Sequence, residues 1–229
     1  SMAGNERGKV AVVGTGGTIS SVGRHSLDLV AYAELGKIYE VDELLAAFPE
    51  TTAQAEVLPV RFRAIGSPKI NAADWLELAA TIHQLAREQP DLSGIVVTHG
   101  TASLEETAYF LNLTLKVECA VVVVGAQRPA SGMGTDAGIN LVNAIRVAAD
   151  PGSCGKGVLV MLNDEIHAAR DVTKTSTLRL QTFRSRDFGV LGHADNDRVV
   201  YYRAPVRKSM RESEFDLAGI DALPRVDIV

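Results

Sequence analysis

Two periodicities of apolar and polar positions alternate along this chain. Val10-Ala11-Val12-Val13 is apolar on both faces and stops at Gly14-Thr15-Gly16-Gly17-Thr18, which predicts a buried strand opening into a tight glycine-permitted loop. Residues 94–98, 119–124 and 158–162 read as further buried strands, and 55–64 alternates well enough to be another. Between them run helical patterns at 41–48, ended by Pro49, at 71–88, at 136–149, and from Ser103 to about residue 113. The second of these is the clearest, with Trp75, Leu76, Leu78, Ala79, Ile82, Leu85 and Ala86 at helical spacing; Trp75 reads as core. Ser103-Leu104-Glu105-Glu106 has the spacing of a capping box.

Strands that are apolar on both faces and alternate with helices imply a parallel sheet covered on each side. The expected fold is therefore α/β: a doubly wound, mostly parallel sheet with helices on both faces. Residues 19–36 keep no period and read as a lid or a surface loop beside the first strand. Beyond Arg170 the chain turns polar and Thr-rich, with a hairpin strand expected at 198–203. Residues 205–216 are charged and linker-like, and 223–229 resemble the first strand of another α/β unit. The expected organisation is one domain over 1–204, then a linker and the start of a truncated second domain over 205–229.

Composition narrows the function. The 229 residues are 46% hydrophobic and 22% charged with net charge −5, an ordinary globular balance. Without a basic patch interleaved with aromatics, nucleic acid is not an expected partner. No apolar run approaches the roughly 20 residues of a membrane helix, so no membrane partner is expected. Cys119 and Cys154 lack C-x-x-C spacing, so neither a metal site nor a disulfide framework is expected. The expected compartment is the cytoplasm, although Ser1-Met2 looks like a cloning scar and leaves a removed leader open.

The glycine loop after the first strand is not a dinucleotide fingerprint, because Ile19 stands where G-x-G-x-x-G needs its third glycine. What gathers at the strand ends instead is hydroxyl chemistry: Thr15 and Thr18, Ser67, Thr101, and the loops after Ala126 and Asp164. Hydroxyls without metal ligands or a phosphate loop suit nucleophilic acyl transfer. A hydroxyl needs a base or cation beside it, and Asp171 and Lys174 are the later candidates.

Several blocks in the same order carry a resemblance. They are Thr15-Gly16-Gly17-Thr18-Ile19, Thr98-His99-Gly100-Thr101, residues 105–111, residues 124–129, Asn163-Asp164, and Arg170-Asp171-Val172-Thr173-Lys174-Thr175. Together they resemble the amino-terminal domain of the bacterial-type L-asparaginase/glutaminase family. The resemblance implies Thr18 as nucleophile, Tyr32 as its lid partner, and Thr101 with Lys174 as the proton-handling pair. Asp171 is implied to hold its loop. Gly17, Ser67, Gly100 and Ala102 fall at substrate-binding positions, Ser67 toward the α-carboxylate. Backbone N–H groups near Thr101 would stabilise the oxyanion. The family is hydrolytic, uses no metal or cofactor, acts on a small-molecule amide, and assembles as homodimers or homotetramers.

Two positions depart from the family pattern. Ala102 stands where an Asp pairs with the substrate ammonium, and Pro68 stands where a Gln also touches it. A third contact usually comes from a carboxy-terminal domain of a neighbouring subunit. Losing two charge-assisted hydrogen bonds weakens asparagine binding by roughly 10² to 10⁴-fold. The expectation is an amidohydrolase for asparagine or a carboxylate-bearing amide that lacks a free α-amino group. The alternative is a catalytically weak binding or assembly module on the same scaffold.

Overall fold

The strand β1 (Lys9–Gly16) is the axis on which the rest is laid. In this computed structural model the described residues are 7–35, 37–65, 70–174, 183–185, 190–195 and 198–202. β1 pairs in parallel with β2 (Glu56–Ile65) on one side and β3 (Leu92–Thr98) on the other, and β4 (Ala120–Val124) and β5 (Val158–Leu162) continue the parallel sheet beyond β3. The sheet then turns antiparallel through β6 (Glu165–Ala168), β9 (Gly192–Asp195) and β10 (Arg198–Tyr201). A separate two-stranded ribbon joins β7 (Val172–Lys174) to β8 (Phe183–Ser185).

The apolar strands are explained by what covers them. Val10 and Val12 face α1 (Val41–Ala47) and α4 (Ala137–Ala149), packing with Leu44, Leu141 and Ile145. Ala11 and Val13 face α2 (Ala72–Glu88) and α3 (Leu104–Thr114), packing with Leu78, Ile82 and Leu111. All ten of these side chains are fully buried. The doubly wound sheet and its helices are thus where the sequence pattern places them.

Strand order along the parallel part is β2-β1-β3-β4-β5. The chain steps outward from β1 to β2, crosses back to β3 and then proceeds the other way, so its direction of winding reverses between β1 and β3. A crevice opens beyond the carboxyl ends of the strands at such a reversal.

Local chemistry sets the boundaries. Asn71 caps α2, its Oδ1 accepting from Asp74 N at 3.1 Å while Asp74 Oδ2 accepts from Asn71 N at 2.9 Å. The capping box expected at Ser103 does not form: Ser103 stands at the cap, but its side chain makes no capping bond. Its backbone (φ −129°, ψ 19°) is not the extended conformation that turns a cap hydroxyl toward the first turn.

The loop expected after Asp164 is instead the strand β6. Asn163 and Asp164 both have positive φ (51° and 65°), the geometry of a two-residue hairpin, and they return the chain as β6. Asp164 Oδ1 accepts from Asn143 Nδ2 at 2.6 Å, which fastens the turn to α4. The hairpin strand expected at 198–203 is β10. The expected linker and strand over 205–229 lie outside the described residues.

Asp136, before α4, holds the turn that leaves β4. Its carboxylate accepts from Gln127 N at 2.9 Å, Arg128 N at 3.0 Å and Asn140 Nδ2 at 3.2 Å. Removing it orphans these donors. Asp136→Ala is expected to lower unfolding free energy by about 2–4 kcal/mol in denaturant titration, with Asp136→Asn recovering part of the loss; equal stability of Asp136→Ala and the parent would refute this role.

Candidate active site at the reversal between β1 and β3

The crevice is built on backbone contact. Gly16 and Gly17 have φ of 92° and 84°, and Gly17 ψ is −173°, a combination open essentially only to glycine. A Cβ on Gly17 would lie 2.3 Å from Gly100 Cα and 2.4 Å from Gly100 N. The loops after β1 and β3 therefore touch main chain to main chain. Thr18 and Thr101 are the residues that immediately follow this contact.

Thr18 opens a 3₁₀ turn (Thr18–Ser20), and the side chain of Ile19 is completely buried beneath it. Ile19 thus anchors the turn where a dinucleotide-binding helix would need glycine. Ser21 Oγ donates to Gly17 O at 2.8 Å, closing the loop. Thr18 is half-buried, and its Oγ1 lies 2.9 Å from Tyr32 OH. Tyr32 belongs to a 3₁₀ helix (Ala31–Leu35) in the segment expected to be a lid or loop. That segment is fastened along its length: Tyr39 N donates to Ser20 O (2.7 Å), Gly23 N to Ser131 Oγ (2.8 Å) and Met133 N to Ser26 O (2.7 Å).

Thr15 plays a different part from the one expected. It is buried, and its hydroxyl donates to Thr98 O at 2.6 Å, clamping β1 to β3 instead of facing the crevice. Thr101 is half-buried and Ala102 exposed at the end of β3. Lys174 is the last residue of β7, which packs against α3. Asp171 is buried in the turn before β7, where its N–H donates to Ala168 O at 3.0 Å. Ser67 and Pro68 lie outside the described residues. Among the described residues no group of His, Cys, Asp and Glu is arranged to hold a metal.

A buried chain that sequence reasoning missed supports Gly100. His99 is completely buried, with Nδ1 2.6 Å from Gly100 O and Nε2 2.8 Å from Thr107 Oγ1; Trp75 Nε1 donates to the same Oγ1 at 2.8 Å. Burial pushes the His99 pKa down to about 4, so the ring is neutral near pH 7. A carbonyl only accepts, so Nδ1–H donates to Gly100 O and Nε2 accepts the Thr107 proton, an assignment made from the network. The visible signal was a histidine between a buried strand and a glycine, with a threonine eight residues on. Trp75, read as core, also stacks on Phe110 with ring centroids 5.4 Å apart.

A doubly wound α/β domain with hydroxyl groups at its winding reversal is the class this geometry defines. Residues 9–207 match the family model described as "Asparaginase, N-terminal", and the chain belongs to the asparaginase family. It is 43% identical over 220 residues to "Probable L-asparaginase periplasmic" of Haemophilus influenzae, covering 96% of this chain and 61% of that protein. It is 41% identical over 220 residues to "L-asparaginase 2" of Escherichia coli, covering 96% and 62%. A solved structure described as "Probable Cytoplasmic L-asparaginase from Campylobacter jejuni" superposes with TM-score 0.90 at 36% identity, covering 97% of this chain and 67% of that one. The chain thus spans about three fifths of the length of these curated relatives. Among the described residues no helix is long and apolar enough to cross a membrane.

The buried histidines give a pH prediction. His167 is also buried, and its pKa is pushed down to about 4 by burial and by nearby His193. Both folded-state values lie below the unfolded value near 6.5, so the unfolded chain binds more protons between them. The contribution is full above about pH 6.5 and is lost as pH falls toward 4, on the order of 3 kcal/mol for His99 and less for His167, whose Nε2 lies 3.2 Å from the Glu165 carboxylate. Denaturation midpoints measured from pH 7 to pH 4 should fall accordingly, and less steeply in His99→Gln; a flat profile would contradict the assignment.

Proposed function

We propose that this chain carries the nucleophile of an amidohydrolase that releases ammonia from a small, carboxylate-bearing amide. The observation that carries the reading is the 2.9 Å contact between Thr18 Oγ1 and Tyr32 OH, at a loop held against the end of β3 by the Gly17–Gly100 contact. Membership of the asparaginase family, and relatives named as L-asparaginases, support amide hydrolysis as the reaction.

In this mechanism Thr18 Oγ attacks the amide carbonyl while its proton passes toward Tyr32 or toward the Thr101–Lys174 pair. Main-chain N–H groups around Gly17 and Gly100 receive the developing oxyanion. The proton taken from Thr18 is delivered to the leaving nitrogen, which departs as ammonia, and water then attacks the acyl-Thr18 ester, releasing the acid and returning a proton to the Thr18 oxygen. Ser67 takes the substrate carboxylate. No cofactor or metal is required.

The substrate follows from the departures at 102 and 68. Without the Asp and Gln that meet an α-ammonium, asparagine loses charge-assisted partners, whereas an amide with no free α-amino group loses none. The enzyme acts as a homodimer or homotetramer. A cytoplasmic location belongs to this proposal, supported by the Campylobacter jejuni name and opposed by the Haemophilus influenzae one.

Ammonia release from L-asparagine, L-glutamine, succinamate, maleamate and N-acetyl-L-asparagine by the full-length protein tests the reading. Thr18→Ala is expected to lower kcat by about 10³-fold or more and Tyr32→Phe by about 10²-fold, on substrates without a free α-amino group. Activity untouched by Thr18→Ala, or L-asparagine as the best substrate, would overturn the respective half of the proposal. Silence on every amide from the folded protein would favour a binding module.

A further inference from the structure

Cys119 and Cys154 are far apart in the chain and line one cavity. Cys119 immediately precedes β4, and Cys154 caps the 3₁₀ turn (Pro151–Ser153) that leads into β5. β4 and β5 run parallel and side by side, with Val121 paired to Val158, so both thiols stand at the amino ends of neighbouring strands. There they border a cavity of about 780 Å³ together with Ala86, Pro90, Leu92 and Val117. The crevice with Thr18 and Thr101 opens at the opposite, carboxyl end of the sheet.

The two thiols differ in a way that gives them different parts. Both are free; Cys154 is exposed, whereas Cys119 is half-buried. Burial pushes the Cys119 thiol up to about 11, and the charge of an ionised Cys154 adds to the push, so the two sulfurs lie within electrostatic reach of each other. An exposed thiol is free to attack a small disulfide in solution, and a thiol held nearby is placed to resolve the product. A bridge needs its two Cα atoms within about 7 Å. The turn beyond Cys154 has room for that approach: Gly155 has a φ of 76° with nothing within 4 Å of where its Cβ would stand, and Gly157 has a φ of 77°.

We propose that Cys119 and Cys154 form a thiol–disulfide exchange site, at which a low-molecular-weight disulfide such as oxidised glutathione closes an intramolecular bridge between the starts of β4 and β5. The Cys154 thiolate attacks one sulfur of the small disulfide, whose S–S bond breaks as a first thiolate leaves. The Cys119 thiolate then attacks the Cys154 sulfur of the mixed disulfide and expels the second thiolate. The two cysteines give up two protons and two electrons, and the small disulfide takes both and becomes two thiols. The cavity is remote from the reacting atoms at Thr18, so this chemistry is independent of amide hydrolysis.

The test incubates the folded, full-length protein with oxidised glutathione, traps remaining thiols by alkylation and maps peptides by non-reducing mass spectrometry, beside Cys119→Ser and Cys154→Ser. The parent is expected to yield a linked peptide pair containing Cys119 and Cys154, lighter by two hydrogens than the reduced peptides together. Cys119→Ser, which lacks the resolving thiol, should accumulate the glutathione adduct on Cys154 to about 10-fold the level in the parent. Cys154→Ser should leave Cys119 reduced under conditions that convert the parent.

A glutathione adduct on Cys154 that persists equally in the parent and in Cys119→Ser would show that the sulfurs do not meet, and would overturn the proposal. Chains linked to one another through Cys154, or both thiols unchanged in the folded protein while the urea-unfolded protein reacts, would overturn it as well.

Discussion

Gly17 and Gly100 meet backbone to backbone where the winding of the sheet reverses, and the rest of the site depends on that contact. Gly17 tolerates no side chain there: a Cβ on it falls within 2.4 Å of two Gly100 atoms. The contact joins the loops that follow β1 and β3, and each loop then presents a threonine as its next residue. Thr15 reinforces the approach from below through its bond to Thr98 O, and the His99–Thr107–Trp75 chain reinforces it from the side. The Thr18–Tyr32 contact therefore stands on rigid strand ends, while its second partner comes from a segment tied down by its own loop bonds.

Much of this was legible in the sequence because the parallel sheet writes itself as continuous apolar runs. Val10 to Val13 and Val121 to Val124 are buried on both faces, and only a helix-covered parallel sheet asks for that. The antiparallel edge was less visible. β6 reads Glu-Ile-His-Ala, too short and too polar to show a period, although His167 within it is buried. Its turn, Asn163-Asp164, carried a hairpin signal in its left-handed-tolerant residue types, but a strand was expected on only one side.

The site was readable as a cluster of hydroxyls, and only the family resemblance, not residue type or spacing, singled out Thr18 and Tyr32 among them. Thr15 and Thr18 differ by three positions, and nothing in their residue type says which one faces a strand carbonyl and which one faces Tyr32. The same limit applies at Ser103, where correct spacing for a capping box meets a backbone conformation that forbids the bond. Spacing predicts contacts only when the main chain delivers the side chains, and main-chain conformation in loops is set by tertiary contacts such as those of Asp136 with Gln127 and Arg128.

The asparaginase-family scaffold and the hydroxyls at its strand ends support the proposal that Thr18 attacks a carboxylate-bearing amide. The most direct measurement of that proposal is to identify the acylated residue. Incubating the protein with a slowly turning-over carboxylate-bearing ester, quenching in acid and mapping peptides by mass spectrometry should place the acyl group on Thr18. An acyl group found on Thr101, or substrate turnover with no acyl-enzyme at any residue under conditions that trap one, would contradict the account.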